Sequence, residues 1–244
     1  MQRKDLLKKS SIRNAEYYDM IGVQDRLYAE SAKGRVFTDL ISIICSDANI
    51  KMAYRNLKGN DGSNTPGVDG MTFENLRGIS EMELIAKVKG KILNYQPKAV
   101  RRVYIPKPNG KKRPLGIPTV IDRIVQQSVL QILEPICEAK FYDKSYGFRP
   151  NRCCEQAIVK LLDLFNSGYI WVVDIDLEKF FDNVPQDKLM SYVGRVIHDG
   201  DTESLIRKYL KAGVMDKGRY EATEVGTPQG GNLSPLFCVF PFPK

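Results

Sequence analysis

The 244-residue chain is 43% apolar, enough to bury a core in one large or two modest domains, which excludes a disordered chain. Its 37 Lys and Arg against 29 Asp and Glu leave a formal charge of +8, a balance that suits a polyanionic partner. One histidine and five scattered cysteines without CxxC spacing exclude multi-histidine metal clusters, zinc sites and disulfide frameworks.

Residues 1–58 are basic and helical in pattern, with Phe37, Leu40, Ile41 and Ile44 at helix spacing. No apolar run approaches the ~20 residues of a membrane span, and "MQRKDLLKKSSIRN" has no signal-peptide stretch. The expectation is a cytoplasmic protein with no membrane partner. "LKGNDGSNTPGVDGMT" predicts an irregular loop. "SEMELIAKVKGKIL" predicts a helix with Ser80 and Glu83 as a capping box and Leu84, Val88 and Ile92 on one face.

"AVRRVYIPKPNGKKRPLGIPT" predicts a hairpin whose tip carries Lys107, Lys111, Lys112 and Arg113. In "DRIVQQSVLQILEPICEAKF" the apolar residues Val125, Val129, Ile132 and Ile136 predict a buried helix. A loop, "KSYGFRPNR", leads to a helix over 155–165. Residues 169–177 then switch to period two, so Val173, Ile175 and Leu177 point one way and Asp174 and Asp176 the other, the pattern of a strand with an acidic face. Two helices follow over 186–198 and 203–212, the second stopped by Gly213, then a hairpin in "VMDKGRYEAT" and a helix started by Ser234 and Pro235. His198, near a helix end, reads as a solvated imidazole.

The stretch "WVVDIDLEKFFDNVP" sets Asp174, Asp176, Glu178 and Asp182 in an apolar neighbourhood, where unpaired charge is costly. Mg²⁺ would compensate them, because it takes oxygen ligands from one or two carboxylates plus substrate phosphates. Two such ions can clamp the attacking and leaving oxygens of a phosphoryl transfer. Acids also favour the first turn of a helix, and that reading is preferred for Asp182, the metal reading for Asp176.

Taken in order, "YIPKPNGKKRPLGIPTVIDRIVQ", "DIDLEKFFDNV" and "GTPQGGNLSPL", with "TPGVDGMT" and "SYGFRPNR" as connecting blocks, resemble the fingers and palm motifs of reverse transcriptases. The likeness is closest to those encoded by bacterial group II introns and runs from about residue 60 to 238. It implies an α+β fold with an N-terminal helical extension (1–58), fingers (59–165) and a partial palm (166–244), the palm holding a small antiparallel sheet with flanking helices and no thumb.

The resemblance also implies roles. Asp176, five residues before the aromatic Phe181, is the first metal-binding carboxylate, and the Leu177 carbonyl is a further ligand in a site that holds two Mg²⁺ ions when complete. Phe181 lies under the nucleotide sugar and rejects a 2′-hydroxyl. Lys107 and Arg113 reach the incoming triphosphate, a point charge and a bidentate fork for phosphate oxygens. Gln229 and Gly230 lie near the nucleotide and template base, while Lys111, Lys112, Arg149 and Gly231 border nucleic acid. Gly226, Gly230 and Gly231 let the backbone approach that nucleic acid closely.

The implied function is RNA-directed DNA polymerisation with dNTP, an RNA template and DNA primer, and group II intron RNA as partners; the alternative is a non-catalytic intron RNA-binding maturase module. The family carries a "YxDD" hairpin after "GTPQGG" that supplies its remaining metal-binding carboxylates, and this sequence contains none. The expectation is an incomplete two-metal site, little polymerase activity in this polypeptide, and an exposed palm edge that invites self-association.

Overall fold

A computed structural model describes residues 11–108, 110–228 and 230–239. After a helical stretch at 11–17 come α1 (Ile21–Ala32), α2 (Ile41–Ile44), α3 (Asp47–Lys58) and α4 (Glu81–Leu93). A hairpin, β1 (Val100–Pro106) and β2 (Lys112–Ile117), leads into α5 (Val120–Glu138) and α6 (Cys154–Asn166). The remainder is α7 (Phe180–Asn183), α8 (Gln186–Val193), α9 (Gly200–Leu210), β3 (Val214–Asp216), β4 (Arg219–Glu221) and α10 (Ser234–Val239).

Helix α5 is the axis of the core. Thr119 caps it, its hydroxyl accepting from the Asp122 amide at 3.2 Å. Val125, Val129, Ile132 and Ile136 are all buried, and α1 and α3 lie against the helix. Pro135 inside it has no N–H for the Gln131 carbonyl, and Gln24 of α1 supplies the missing donor at 3.1 Å. Ser31 of α1 donates to the Ile136 carbonyl at 2.7 Å, so two side chains of one helix serve carbonyls around that proline. Ser80 caps α4, accepting from the Glu83 amide at 3.2 Å.

The amino-terminal helical pattern breaks between Gly34 and Leu40. Phe37 is buried as an isolated parallel bridge to Ile197, its N–H on the Val196 carbonyl and its carbonyl on the His198 N–H. Helix spacing of Phe37 and Leu40 with Ile41 and Ile44 therefore reports burial on one side, not one continuous helix. Asp199 closes this junction: Oδ2 accepts from the amides of Leu40 (2.9 Å) and Ile41 (3.0 Å) and from the Thr202 hydroxyl (2.7 Å).

The α+β class stands, with one mixed sheet in the order β2-β1-β3-β4. β1 pairs antiparallel with β2, parallel with β3 at Val100↔Val214, and β3 pairs antiparallel with β4. This corrects the antiparallel sheet bearing Asp176. Residues 169–177 form no strand, and Trp171 and Ile175 are 90% and 81% exposed. A strand exists by its ladder, and no described strand pairs with this segment. The alternation marks a face suited to burial without a neighbour to bury it. Helix α6 shares that state, with none of its residues buried and Ile158, Leu162 and Phe165 exposed. Among the described residues no helix is long and apolar enough to cross a membrane.

Candidate active site

The site is assembled from the "FFDNV" turn, the "GTPQGG" loop and the basic hairpin. Lys179 turns the chain with a left-handed backbone (φ 50°), and α7 follows. The Thr227 amide donates to the Phe181 carbonyl at 2.7 Å, and the Gly226 amide to the Val184 carbonyl at 2.8 Å. Gly226 has φ +84°, and a Cβ there would stand 2.7 Å from the carbonyl oxygens of Phe181 and Asp182. Only glycine permits this seam. Gln186 locks it from behind, donating to the carbonyls of Gly226 (3.0 Å) and Leu210 (3.1 Å).

The loop then crosses to the hairpin. Gly230 has φ +108°, and a Cβ there would lie 2.3 Å from the Gly116 carbonyl of β2, the strand that also carries Arg113. A Cβ at Gly231 would lie 2.3 Å from the Tyr209 hydroxyl. The expectation that these glycines admit nucleic acid is corrected: at all three positions the space of a side chain is taken by the protein itself. Further bonds fix the loop, from the Asn232 amide to Gln126 Oε1 (3.1 Å), Asn232 Nδ2 to Gln127 Oε1 (3.2 Å) and Ser234 to the Pro228 carbonyl (2.6 Å). Gln229 lies outside the described residues.

At the hairpin the Lys107 amide donates to the Lys111 carbonyl at 2.7 Å, and Lys112 and Arg113 stand opposite Pro106 and Ile105. All four basic side chains are exposed. Phe181 is half-buried, edge-on to the rings of Phe148 and Phe180 at 6.2 Å. Phe180, not Phe181, packs on the hydrophobic core. Asp182 is exposed in the first turn of α7, as the helix-start reading has it.

Asp176 and Leu177 lie on the exposed segment before α7. A carboxylate and a carbonyl are the hard oxygen donors that Mg²⁺ prefers, and they fit one ion completed by phosphate oxygens and water. They do not make a two-ion set, since among the described residues no three His, Cys, Asp or Glu side chains gather closely enough to hold a metal.

Arg149 is also corrected. Its guanidinium is buried, bonded to both Glu138 oxygens (2.9 Å from Nε, 2.6 Å from Nη2) and to the carbonyls of Tyr142 (2.8 Å) and Ser145 (2.9 Å). It organises the "SYGFRPNR" loop instead of facing a phosphate.

Two arginines that sequence reasoning passed over do the same for "TPGVDG". Arg101 donates twice to the Pro66 carbonyl (3.0 and 2.8 Å), and Arg123 reaches the carbonyls of Pro118 (3.0 Å), Gly62 (2.8 Å) and Thr65 (2.5 Å). For Arg123 the available signal was an arginine within an otherwise buried helical run, whose charge needs internal acceptors.

The family described as reverse transcriptase (RNA-dependent DNA polymerase) matches residues 105–241. Protein YkfC of Escherichia coli (strain K12) is 42% identical over 203 residues, which is 81% of this chain and 53% of that protein. Group II intron-encoded protein LtrA of Lactococcus lactis subsp. cremoris is 42% identical over 206 residues, 83% of this chain and 34% of its own. The chain thus spans about half of the one relative and a third of the other. Among solved structures, the "Partial Cas6-RT-Cas1--Cas2 complex" superposes with a TM-score of 0.56 at 22% identity, covering 82% of this chain and 33% of that one, a likeness of fold.

Proposed function

Because this chain belongs to the reverse transcriptase (RNA-dependent DNA polymerase) family, we propose that it forms the fingers and part of the palm of a group II intron-encoded enzyme that adds dNTP to a DNA primer on an RNA template. The observation that carries this reading is the convergence of its three motif stretches: Thr227 on Phe181, Gly226 on Val184 and Gly230 on Gly116. Motifs separated in the chain are joined by backbone contacts, which is how a rigid nucleotide site is built.

Lys107 and Arg113 draw the triphosphate to the fingers, and their separate geometries hold different phosphate oxygens. Phe181, held by the Thr227 contact to its own carbonyl, offers a ring edge to the sugar. Lys111 and Lys112 follow the nucleic-acid backbone, and Gln229 is assigned to the base. Reverse transcriptases depend on divalent metal; Asp176 and the Leu177 carbonyl would hold Mg²⁺, which when bound neutralises charge on the phosphates. Intron RNA is the further partner this reading assigns.

With one assigned carboxylate, the 244-residue polypeptide should bind nucleotide and nucleic acid yet extend a primer poorly. Calorimetry of dNTP with Mg²⁺ against wild type and Asp176→Ala tests the reading, next to a primer-extension assay. Metal-dependent binding lost in the variant supports the polymerase site. RNA binding with no nucleotide binding at all favours the maturase-type RNA module, and robust extension by the pure polypeptide would overturn the incomplete-site argument. The uncovered layer of α6 and residues 169–177 also favours self-association.

A further inference from the structure

At the far end of β1 from the hairpin tip lies an open groove of about 660 Å³ between residues 96–99, helix α9 and the β3–β4 hairpin. Strand β1 spans seven residues, so roughly 20 Å separates this groove from the basic tip. Four cations line it, Lys98, Arg207, Lys208 and Lys211, and no acidic residue does. Lys98 stands 3.9 Å from Asp69, a loose contact, and the other three have no ion pair with a described carboxylate.

Cations in a helix's last turn complement its dipole. That does not account for Lys98, which comes from another segment, or for three positive charges within five positions, where like charges at this spacing repel. The groove also carries an aromatic ring. Tyr220 lies over Gly213, whose φ is +74° and whose Cβ, if present, would stand 2.4 Å from the ring. The residue is nonetheless 58% exposed. Cations able to bind phosphate beside an accessible aromatic are the combination that holds single strands, by backbone charge and by base stacking.

We propose that this groove binds single-stranded RNA at a site separate from the candidate active site, with Arg207, Lys208 and Lys211 on consecutive phosphates and Tyr220 under a base. The proposal rests on the nucleic-acid reading above. Arg207 and Lys211 lie about 6 Å apart along the helix axis, a separation that lets each serve its own phosphate. A base stacked on Tyr220 must be unpaired, which selects single strands over duplex.

Fluorescence anisotropy of a labelled, unstructured oligoribonucleotide across a salt series tests it. Arg207→Ala with Lys211→Ala should lower affinity at least tenfold at low salt and reduce the salt slope by about 1.4. Tyr220→Ala should weaken binding about tenfold with the slope unchanged, and Tyr220→Phe should restore it. A control pair, Lys111→Ala with Lys112→Ala, separates the two readings. If that control weakens binding while the groove variants match wild type, the groove assignment falls and the nucleic-acid reading stands. If wild type binds no RNA, both fall. If polyglutamate displaces the RNA at equal charge concentration, the groove is a generic acidic-chain site and the RNA assignment is overturned.

Discussion

Gly226 and Gly22 show how the same residue type carries different weight. An added Cβ at Gly226 meets two carbonyl oxygens at 2.7 Å on a backbone with φ +84°, whereas Gly22 has nothing within 4 Å. Gly226→Ala should cost about 2 kcal/mol or more in urea denaturation, and Gly22→Ala, inside α1, should be neutral or slightly stabilising. Asp199 makes a second residue-scale case. Burial alone would raise its carboxyl pKa, but bonds from Thr202, Leu40 and Ile41 outweigh that and hold it below the ordinary value. A depressed carboxylate stabilises the fold above its unfolded pKa of about 3.9 and loses that effect as pH falls through the folded value. Asp199→Asn should therefore destabilise by about 2 kcal/mol at neutral pH, and the gap to wild type should close in acid. The sequence displayed Gly226 as a glycine of a motif but not what it touches, since that depends on a turn some forty residues away.

Among elements, α5 was the most legible, because the helical periodicity of Val125, Val129, Ile132 and Ile136 sits in one window, and the structure adds the Thr119 cap. Its proline is tolerated inside the helix for a reason found on another helix. Gln24→Ala should leave the Gln131 carbonyl without its 3.1 Å donor and cost about 1–2 kcal/mol, read from the shift in denaturation midpoint. The period-two run at 169–177 was legible as a pattern and misleading as a strand, because alternation records which face needs cover while pairing needs a neighbour. Arg149 was illegible for a related cause: the turn carbonyls of Tyr142 and Ser145 that need its donors are visible only once the loop has closed.

Across the whole molecule, the contrast is between a dense helical core around α5 and the layer formed by α6 and residues 169–177. Trp171, Val173 and Ile175 present a run of apolar side chains of the kind that marks association surfaces. Sedimentation should show concentration-dependent oligomers, and Trp171→Lys with Val173→Lys should shift them towards monomer while leaving the far-ultraviolet circular dichroism unchanged. The motif set made the family and the α+β class legible from sequence. The mixed sheet was not, since its parallel pair joins Val100 to Val214 across more than a hundred residues.

The Asp199 junction bears on how the protein is made. Its carboxylate closes on the Leu40 amide 159 residues earlier in the chain. At translation rates of about 5–20 residues per second, α2 waits roughly ten to thirty seconds on the ribosome for its capping acid. The amino-terminal helices are thus born without their final contacts, and their apolar faces are open to chaperones throughout that interval.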